Sequence, residues 1–339
     1  MPENKYDFGL VGLGVMGRNF ILNVADNGFK AYGYDLDQEK VAALQKEGGD
    51  LDKVNATNDL ETFINSLQLP RKIMLLVPAG KIVDSVIENL LPLLTKDDLI
   101  IDGGNSLFTD TDRRESYLKT KGIHFFGAGV SGGAKGARKG PSIMPGGSRE
   151  AYKEVKPIFE AVSAKYKGEP CVAYLGPKSA GNYVKMIHNG IEYGLMQLTS
   201  EIYDLLKKAG NLSNEELHEA FSSWNDGRLQ SFLVEITSEI LSKDDDQGSG
   251  QLVDKILDKA KQKGTGKWTS QNAMDLGIPI PSIDIAVSMR ELSALKADRL
   301  KGEKLYGKSQ PAAMNKDKLV KMAEEALYFS FIITYAQGL

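Results

Sequence analysis

Residues 180–193 read Ala-Gly-Asn-Tyr-Val-Lys-Met-Ile-His-Asn-Gly-Ile-Glu-Tyr. At roughly 100° per residue, Asn182, Lys185, His188, Asn189, Glu192 and Tyr193 fall on one arc of a helix. Val184, Ile187, Ile191, Leu195 and Leu198 fall on the other. A wetted helix face is usually crowded with Lys and Glu. This arc carries one of each, seven residues apart, interleaved with His, Asn and Tyr. A lysine whose pKa is lowered by partial burial and cationic neighbours can take a proton near neutral pH, and a nearby carboxyl can return one. From spacing alone, a solvated polar face and a catalytic stripe both remain open.

A second pattern lies near the start of the chain. Gly12-Leu-Gly-Val-Met-Gly17 is G-x-G-x-x-G, placed between the apolar run Phe8–Val11 and a helical stretch, Arg18–Asn27. In a dinucleotide-binding turn the first glycine makes the bend and the second admits the pyrophosphate. The third lets the helix pack closely, with its N-terminus facing the negative charge. Asp35 follows 18 residues after Gly17, at the end of the next apolar run. A carboxylate there accepts hydrogen bonds from a ribose diol and repels a 2′-phosphate, which favours NAD over NADP. The alternative is an aspartate that merely opens the turn Asp35-Leu-Asp37.

These residues need elements to hold them. Short apolar runs at Phe8–Val11, Ala31–Tyr34, Ile73–Val77, Leu99–Ile101 and Ile123–Phe126 alternate with amphipathic stretches, which predicts a parallel sheet covered by helices. A further strand is expected at Cys171–Leu175. Of the 35 glycines, 22 fall in residues 1–180 and eleven of those between Gly103 and Gly147. The remainder reads as helices over Ser179–Ala209, Asn214–Trp224, Gln230–Leu241, Gln251–Lys263, Ser282–Leu300 and Lys316–Ala336. Ser242–Gln251 and Lys301–Lys316 read as surface loops. The expected organisation is an α/β Rossmann-type domain over 1–178, followed by an all-α domain over 179–339.

Composition narrows the partners. Forty-two Lys and Arg against 45 Asp and Glu leave a net charge of −3, which offers no global field for nucleic acid or an anionic membrane. An anionic ligand therefore needs a local basic pocket. The single Cys171 has no intrachain disulfide partner, and three histidines give no zinc spacing, so no metal is expected. The first residues lack a basic segment followed by a long apolar run, and no window has the apolar length of a membrane span. A cytoplasmic location is the expectation.

The string Val184-Lys-Met-Ile-His-Asn-Gly-Ile-Glu-Tyr193 resembles the signature of decarboxylating 6-phosphogluconate dehydrogenases. So do Ile101-Asp-Gly-Gly-Asn-Ser106, Val130-Ser-Gly-Gly133, Gly140-Pro-Ser-Ile-Met-Pro-Gly-Gly147 and Lys263-Gly-Thr-Gly-Lys-Trp-Thr269. The last is no nucleotide P-loop, because the first glycine that G-x-x-x-x-G-K-[ST] requires ahead of Gly266 is absent and Trp268 replaces the Ser/Thr. The resemblance runs from the fingerprint to Leu339. It implies oxidative decarboxylation of 6-phosphogluconate to ribulose 5-phosphate and carbon dioxide in the pentose phosphate pathway, without a metal, by a homodimer. It implies Lys185 as the base on the 3-hydroxyl and Glu192 as the acid that protonates C1 of the enediol. Asn105, Ser131, Gly132, Gly133, His188 and Asn189 would hold the carboxylate and hydroxyls. Tyr193, Lys263, Thr265 and Arg290 would take the phosphate, a dianion that needs fixed cations and donors. Cofactor contacts are implied at Gly12, Gly14, Val15, Met16, Gly17, Asp35, Val77 and Asn105.

The chain departs from the family pattern in three places. NADP-using members carry Asn-Arg-Thr after the second strand, where this chain has Tyr34-Asp35-Leu36, which strengthens the expectation of NAD, with NADP as the alternative. Pro78 stands where many members have a lysine. Members of this type are also longer, with a tail that supplies an Arg and a His to the neighbouring subunit, so the helical domain is expected to be incomplete. The apolar ending at Phe329–Leu339 fits that expectation. Two rival readings are another β-hydroxyacid dehydrogenase, of 3-hydroxyisobutyrate or tartronate-semialdehyde type, and a non-catalytic nucleotide-binding module. Glu192-Tyr193 and the Lys263–Thr269 string argue against the first. Intact Lys185 and Glu192 argue against the second.

Overall fold

The computed structural model describes residues 5–307 and 314–339. The chain forms two compact units, Met1–Met186 and Ile187–Leu339.

In the first unit β1 (Phe8–Val11), α1 (Val15–Asp26), β2 (Ala31–Tyr34), α2 (Gln38–Gly48), β3 (Val54–Thr57) and α3 (Leu60–Asn65) form one half of a doubly wound sheet. The other half contains β4 (Lys72–Leu75), α4 (Lys81–Leu90), β5 (Leu99–Asp102), α5 (Phe108–Lys119), β6 (His124–Ser131), α6 (Gly133–Lys139), β7 (Ser142–Pro145) and α7 (Arg149–Val162). The spatial order is β3-β2-β1-β4-β5-β6-β7, parallel throughout except for β7. The strand order reverses between β1 and β4, and in such sheets the crevice beyond the strand ends at that point is where ligands bind. Helices cover both faces. Phe20, Leu44 and Phe159 pack in the core on one side and Phe63, Val83 and Leu118 in the core on the other. Strands β1 and β5 are buried along their whole length, which is why they read as unbroken apolar runs.

The segment Cys171–Leu175, expected as a strand, is not one. It makes a single bridge, Val172 to Ile143, while a small hairpin of β8 (Lys165–Tyr166) and β9 (Glu169–Pro170) precedes it. The segment meets β7 only at its two ends, where the Cys171 carbonyl accepts from the Ile143 amide at 3.0 Å and the Leu175 amide donates to the Pro145 carbonyl at 2.9 Å, while the Val172 amide turns back onto the Pro170 carbonyl at 2.8 Å, so no ladder propagates. Strands β3 and β7 escape the sequence reading because β3 carries the polar Asn55 and Thr57 and β7 begins with a serine and ends on a proline.

The helix α8 (Ala180–Lys208) is continuous from the end of the first unit into the second. The second unit continues with α9 (Asn214–Asn225), α10 (Phe232–Ser242), α11 (Thr265–Leu276), α12 (Pro281–Ala294), α13 (Lys296–Tyr306) and α14 (Lys316–Gly338). Ser213 and Glu216 close a reciprocal capping box at the start of α9, and Pro281 opens α12 at its first turn. Leu195, Phe221, Trp224, Ile283, Leu327 and Phe331 lie in its core.

Three helical expectations change here. Gln251–Lys263 is a short 3₁₀ turn, Leu252–Lys255, followed by irregular chain to Lys263. Side chains of α12 and α13 take up its backbone: Arg290 Nη1 donates to the Lys261 carbonyl at 2.7 Å, and the Ala260 amide donates to Ser293 Oγ at 2.9 Å. The expected Ser282–Leu300 helix breaks at Leu295, beside the Ser293 carbonyl that accepts from Arg299 Nη2. The expected loop Lys301–Lys316 is helical through Tyr306, and residues 308–313 lie outside the described residues. Among the described residues no helix is long and apolar enough to cross a membrane.

Candidate cofactor and substrate sites

The fingerprint glycines meet three different demands. Gly12 has φ +99°, and a Cβ there would sit 2.6 Å from the Leu76 carbonyl oxygen. A Cβ at Gly17 would lie 1.9 Å from the Gly12 carbonyl, so α1 closes onto the turn only because Gly17 lacks one. Gly14, at the N-cap of α1, faces open space. Val15 and Met16 follow as the first helical residues, with unpaired amides at a positive helix end. That is the cradle an anionic pyrophosphate requires. The turn opens on a cleft of about 410 Å³ lined by Gly12, Gly14, Asp35, Leu36, Val77 and Pro78, among others.

Asp35 lies at the end of β2 in that cleft. Its Oδ2 accepts from the Leu13 amide at 2.8 Å and its Oδ1 from the Asp37 amide at 3.0 Å. Lys40 Nζ stands 3.5 Å from Asp35 Oδ1, and the carboxylate raises the Lys40 ammonium above its ordinary value. The aspartate is thus held in a fixed orientation by the backbone of the fingerprint itself.

Asn105 occupies the loop after β5 and is half-buried. Ser131 ends β6, Gly132 caps α6 and Gly133 begins it. Lys185 is 6% exposed on α8. It lies against β6 at Gly129, where a Cβ would come 2.3 Å from the Lys185 Cβ. Asn182, one turn earlier, is also buried; its Oδ1 accepts from Thr111 Oγ1 at 2.9 Å and its Nδ2 reaches the Gly104 carbonyl at 3.4 Å. Val184, on the apolar arc, is by contrast 38% exposed. The start of the polar stripe therefore faces protein rather than water, the reverse of an ordinary amphipathic helix.

In the second unit His188 Nδ1 is 3.5 Å from Glu192 Oε2 and 3.3 Å from Asn189 Oδ1. Asn189 Nδ2 donates to Thr265 Oγ1 at 3.1 Å, joining α8 to the first residue of α11. The Arg290 guanidinium stacks on the Tyr193 ring at 3.7 Å. A Cβ at Gly266 would meet that ring at 2.5 Å, so the Gly-Thr-Gly string brings the start of α11 onto Tyr193. Lys263 is exposed, at the end of the irregular segment tied to Arg290. His188, Asn189, Glu192, Tyr193, Thr265 and Arg290 thus form one connected constellation, with Lys263 beside it in sequence.

Several residues that shape these sites carry no local signal. Gly129 and Thr111 matter only through what packs on them. Arg114 is fully buried, although its helix, Phe108–Lys119, is polar enough to read as a surface element.

The chain matches two family models: the NAD binding domain of 6-phosphogluconate dehydrogenase over residues 7–176, and the 6-phosphogluconate dehydrogenase C-terminal domain over residues 181–339. It is 51% identical to the NADP(+)-dependent, decarboxylating 6-phosphogluconate dehydrogenase of Bacillus subtilis, over 99% of this chain and 72% of that protein. It is 54% identical to decarboxylating 6-phosphogluconate dehydrogenase 1 of Saccharomyces cerevisiae, over 98% of this chain and 68% of that one. Among solved structures, 6-phosphogluconate dehydrogenase of Plasmodium falciparum superposes with a TM-score of 0.91 at 44% identity, covering 98% of this chain and 72% of its own. A 3-hydroxyisobutyrate dehydrogenase of Salmonella typhimurium shares the fold, with a TM-score of 0.64 at 18% identity over 93% of this chain and 99% of that one. Matched by family models in both halves and by relatives at about half identity over nearly its whole length, this chain belongs to the 6-phosphogluconate dehydrogenase family.

Proposed function

We infer that the chain is an oxidoreductase that converts 6-phosphogluconate to ribulose 5-phosphate and carbon dioxide with a nicotinamide dinucleotide. The observation that carries the reading is a lysine buried on a polar helix stripe two turns before a glutamate, Lys185 and Glu192 of α8, downstream of a formed dinucleotide cradle. When bound, the nicotinamide supplies the hydride acceptor. Gly12, Gly14, Val15, Met16 and Gly17 would hold its pyrophosphate, with Val77 and Asn105 along the cleft. Lys185 takes the proton of the 3-hydroxyl as C3 is oxidised, which makes a 3-keto acid able to lose its carboxylate. Glu192 then delivers a proton to C1 of the enediol, and His188 beside it steadies the carboxyl. Asn105, Ser131, Gly132, Gly133, His188 and Asn189 orient the sugar acid. Tyr193, Lys263, Thr265 and Arg290 form the local cationic pocket that the phosphate needs and the net charge does not supply.

NAD is the preferred cofactor in this reading, because the fixed Asp35 carboxylate suits a ribose diol and opposes a 2′-phosphate. Lys40 beside Asp35, together with a Bacillus subtilis relative named as NADP(+)-dependent, supports NADP as the second reading. The protein works as a homodimer in this account. Unit two exposes Ile285, Leu292, Phe329 and Ile332 on α12 and α14, apolar side chains of the kind that cluster at subunit contacts.

Absorbance of reduced cofactor, followed with 6-phosphogluconate and either NAD or NADP, tests the reading. Turnover with NAD at the higher kcat/KM is expected. No turnover with either cofactor defeats the function, and a large preference for NADP defeats the Asp35 argument. Lys185→Met should retain cofactor binding and lose hydride transfer, and retained turnover removes it as the base. A light-scattering mass of one chain removes the dimer.

A further inference from the structure

Arg114 is among the largest fully buried side chains of the protein, and nothing in the proposed chemistry uses it. Its Nε donates to Asp84 Oδ1 at 2.8 Å and its Nη2 to the Gly80 carbonyl at 2.9 Å. Its Nη1 lies 3.4 Å from Ser106 Oγ and 3.5 Å from Asp102 Oδ2. Asp102 is itself fully buried; it accepts from Ser106 Oγ at 2.6 Å and from the Gly104 amide at 3.0 Å. Burying a guanidinium and a carboxylate is costly, and apolar residues of similar volume often stabilise a fold as well or better. The placement of this network shows what it accomplishes.

Gly80 ends the loop that follows β4 and caps α4, and Val77 and Pro78 of that loop line the dinucleotide cleft. Gly104 and Ser106 flank Asn105 in the loop that follows β5. One planar guanidinium therefore reaches the β4 loop with one nitrogen and the β5 loop with another, while its third is anchored on α4 at Asp84. A fork with fixed angles sets a distance between its partners in a way a flexible ammonium cannot. From the other side the Gly104 carbonyl is met by Asn182 of α8, three residues before Lys185.

We propose that Arg114 is a positioning residue for hydride transfer, which fixes the Asn105 loop against the Val77–Gly80 loop through the Asp102–Ser106 pair. The proposal rests on the dehydrogenase reading above. It assigns Arg114 no contact with substrate or cofactor; its effect passes through Asn105 and Val77.

The test compares wild type, Arg114→Lys, Ser106→Ala and Arg113→Ala. The readouts are melting temperature, KM for each substrate, kcat, and the isotope effect on kcat with 6-phosphogluconate deuterated at C3. Wild-type turnover checks the dehydrogenase reading first; its absence defeats that reading and this inference together, whereas normal variants beside an active wild type defeat the inference alone. Arg114→Lys keeps the charge but cannot span the two loops, so kcat should fall by about 10- to 100-fold, on the scale expected for a misplacement below 1 Å. The isotope effect should rise as hydride transfer becomes limiting. Ser106→Ala removes one link without orphaning a buried cation and should shift both readouts the same way, by a smaller factor. Arg113→Ala removes the exposed neighbour that also pairs with Asp84 and should leave kinetics within about twofold. A lowered melting temperature with unchanged kcat and isotope effect in Arg114→Lys makes the network purely structural. If Arg114→Lys does not fold, Ser106→Ala decides by the same criterion.

Discussion

Gly129→Ala separates the placement of Lys185 from its chemistry. An alanine Cβ at that position would stand 2.3 Å from the Lys185 Cβ and 2.7 Å from its Cγ. Unbonded carbons rest at about 3.5–4.0 Å, so more than about 1 Å of separation must be found. Rotation of the lysine cannot supply it, because a Cβ is fixed by its own backbone. Strand β6 pairs with β5 over His124–Gly127 and with β7 over Ala128–Ser131, where Gly129 faces Met144, so the sheet holds Gly129 and the displacement falls on Lys185 in α8. A misplacement of about 1 Å costs on the order of 100-fold in rate, or about 2.7 kcal/mol of transition-state stabilisation. Overpacking costs the fold about 1–3 kcal/mol, less than the total stability of a typical domain. The folded variant should therefore lose about 100-fold in kcat/KM for 6-phosphogluconate and bind the dinucleotide within about threefold of wild type. Reduced-cofactor absorbance, a cofactor titration and a thermal melt measure these quantities. A folded Gly129→Ala enzyme with kcat/KM within about threefold of wild type would show that the Gly129 contact does not set the position of Lys185.

Further outcomes concern stability. Asp98 is fully buried and accepts from the Arg71 amide and Nη1, each at 2.7 Å, and from the Thr95 amide and hydroxyl. Arg71→Met leaves that carboxylate without its cation and should cost about 3–5 kcal/mol in urea unfolding; a loss below about 1 kcal/mol contradicts the account. Ser213→Ala opens the capping box of α9 and should cost about 0.5–2 kcal/mol, read as a lowered urea midpoint with unchanged slope. Arg299 and Lys296 hold the Asp258 carboxyl down to about 2, against an ordinary 3.8. A depressed folded pKa adds stability that is complete above the unfolded value and is lost as pH falls through the folded one. The melting-temperature gap between wild type and Asp258→Asn should thus be present at pH 6 and close between about pH 4 and pH 2. A gap that widens on acidification is incompatible with this sign.

The sequence was most informative where function is written in a short contiguous string. The turn of Gly12–Gly17 is such a case, since Gly12 and Gly17 each answer to a neighbour within the same turn or at an adjoining strand end, while Gly14 between them faces open space. Strands β1, β2 and β5 were legible because central parallel strands are buried on both faces and must be apolar throughout. Helix α8 was legible because 29 residues of unbroken pattern leave few alternatives. Its polar stripe, though, has the same composition whether it faces water or protein, so the burial of Asn182 and Lys185 could not be read from it.

The failures share one cause. Gln251–Lys263 has a helical pattern, yet its backbone is taken up by Arg290, Ser293 and Arg299, from 29 to 41 residues away. Cys171–Leu175 has the composition of a strand, but a ladder needs a partner with free donors and acceptors in register, which composition cannot supply. Arg114 looks like a surface arginine until Asp102 and Gly80 close around it. Within one turn or one helix the residues already carry the glycine turn, the spacing of the lysine and the glutamate, and the family they signify. Which polar groups are buried, and what they hold apart, is set by the packed fold, because desolvation and pairing depend on neighbours that the chain supplies from elsewhere.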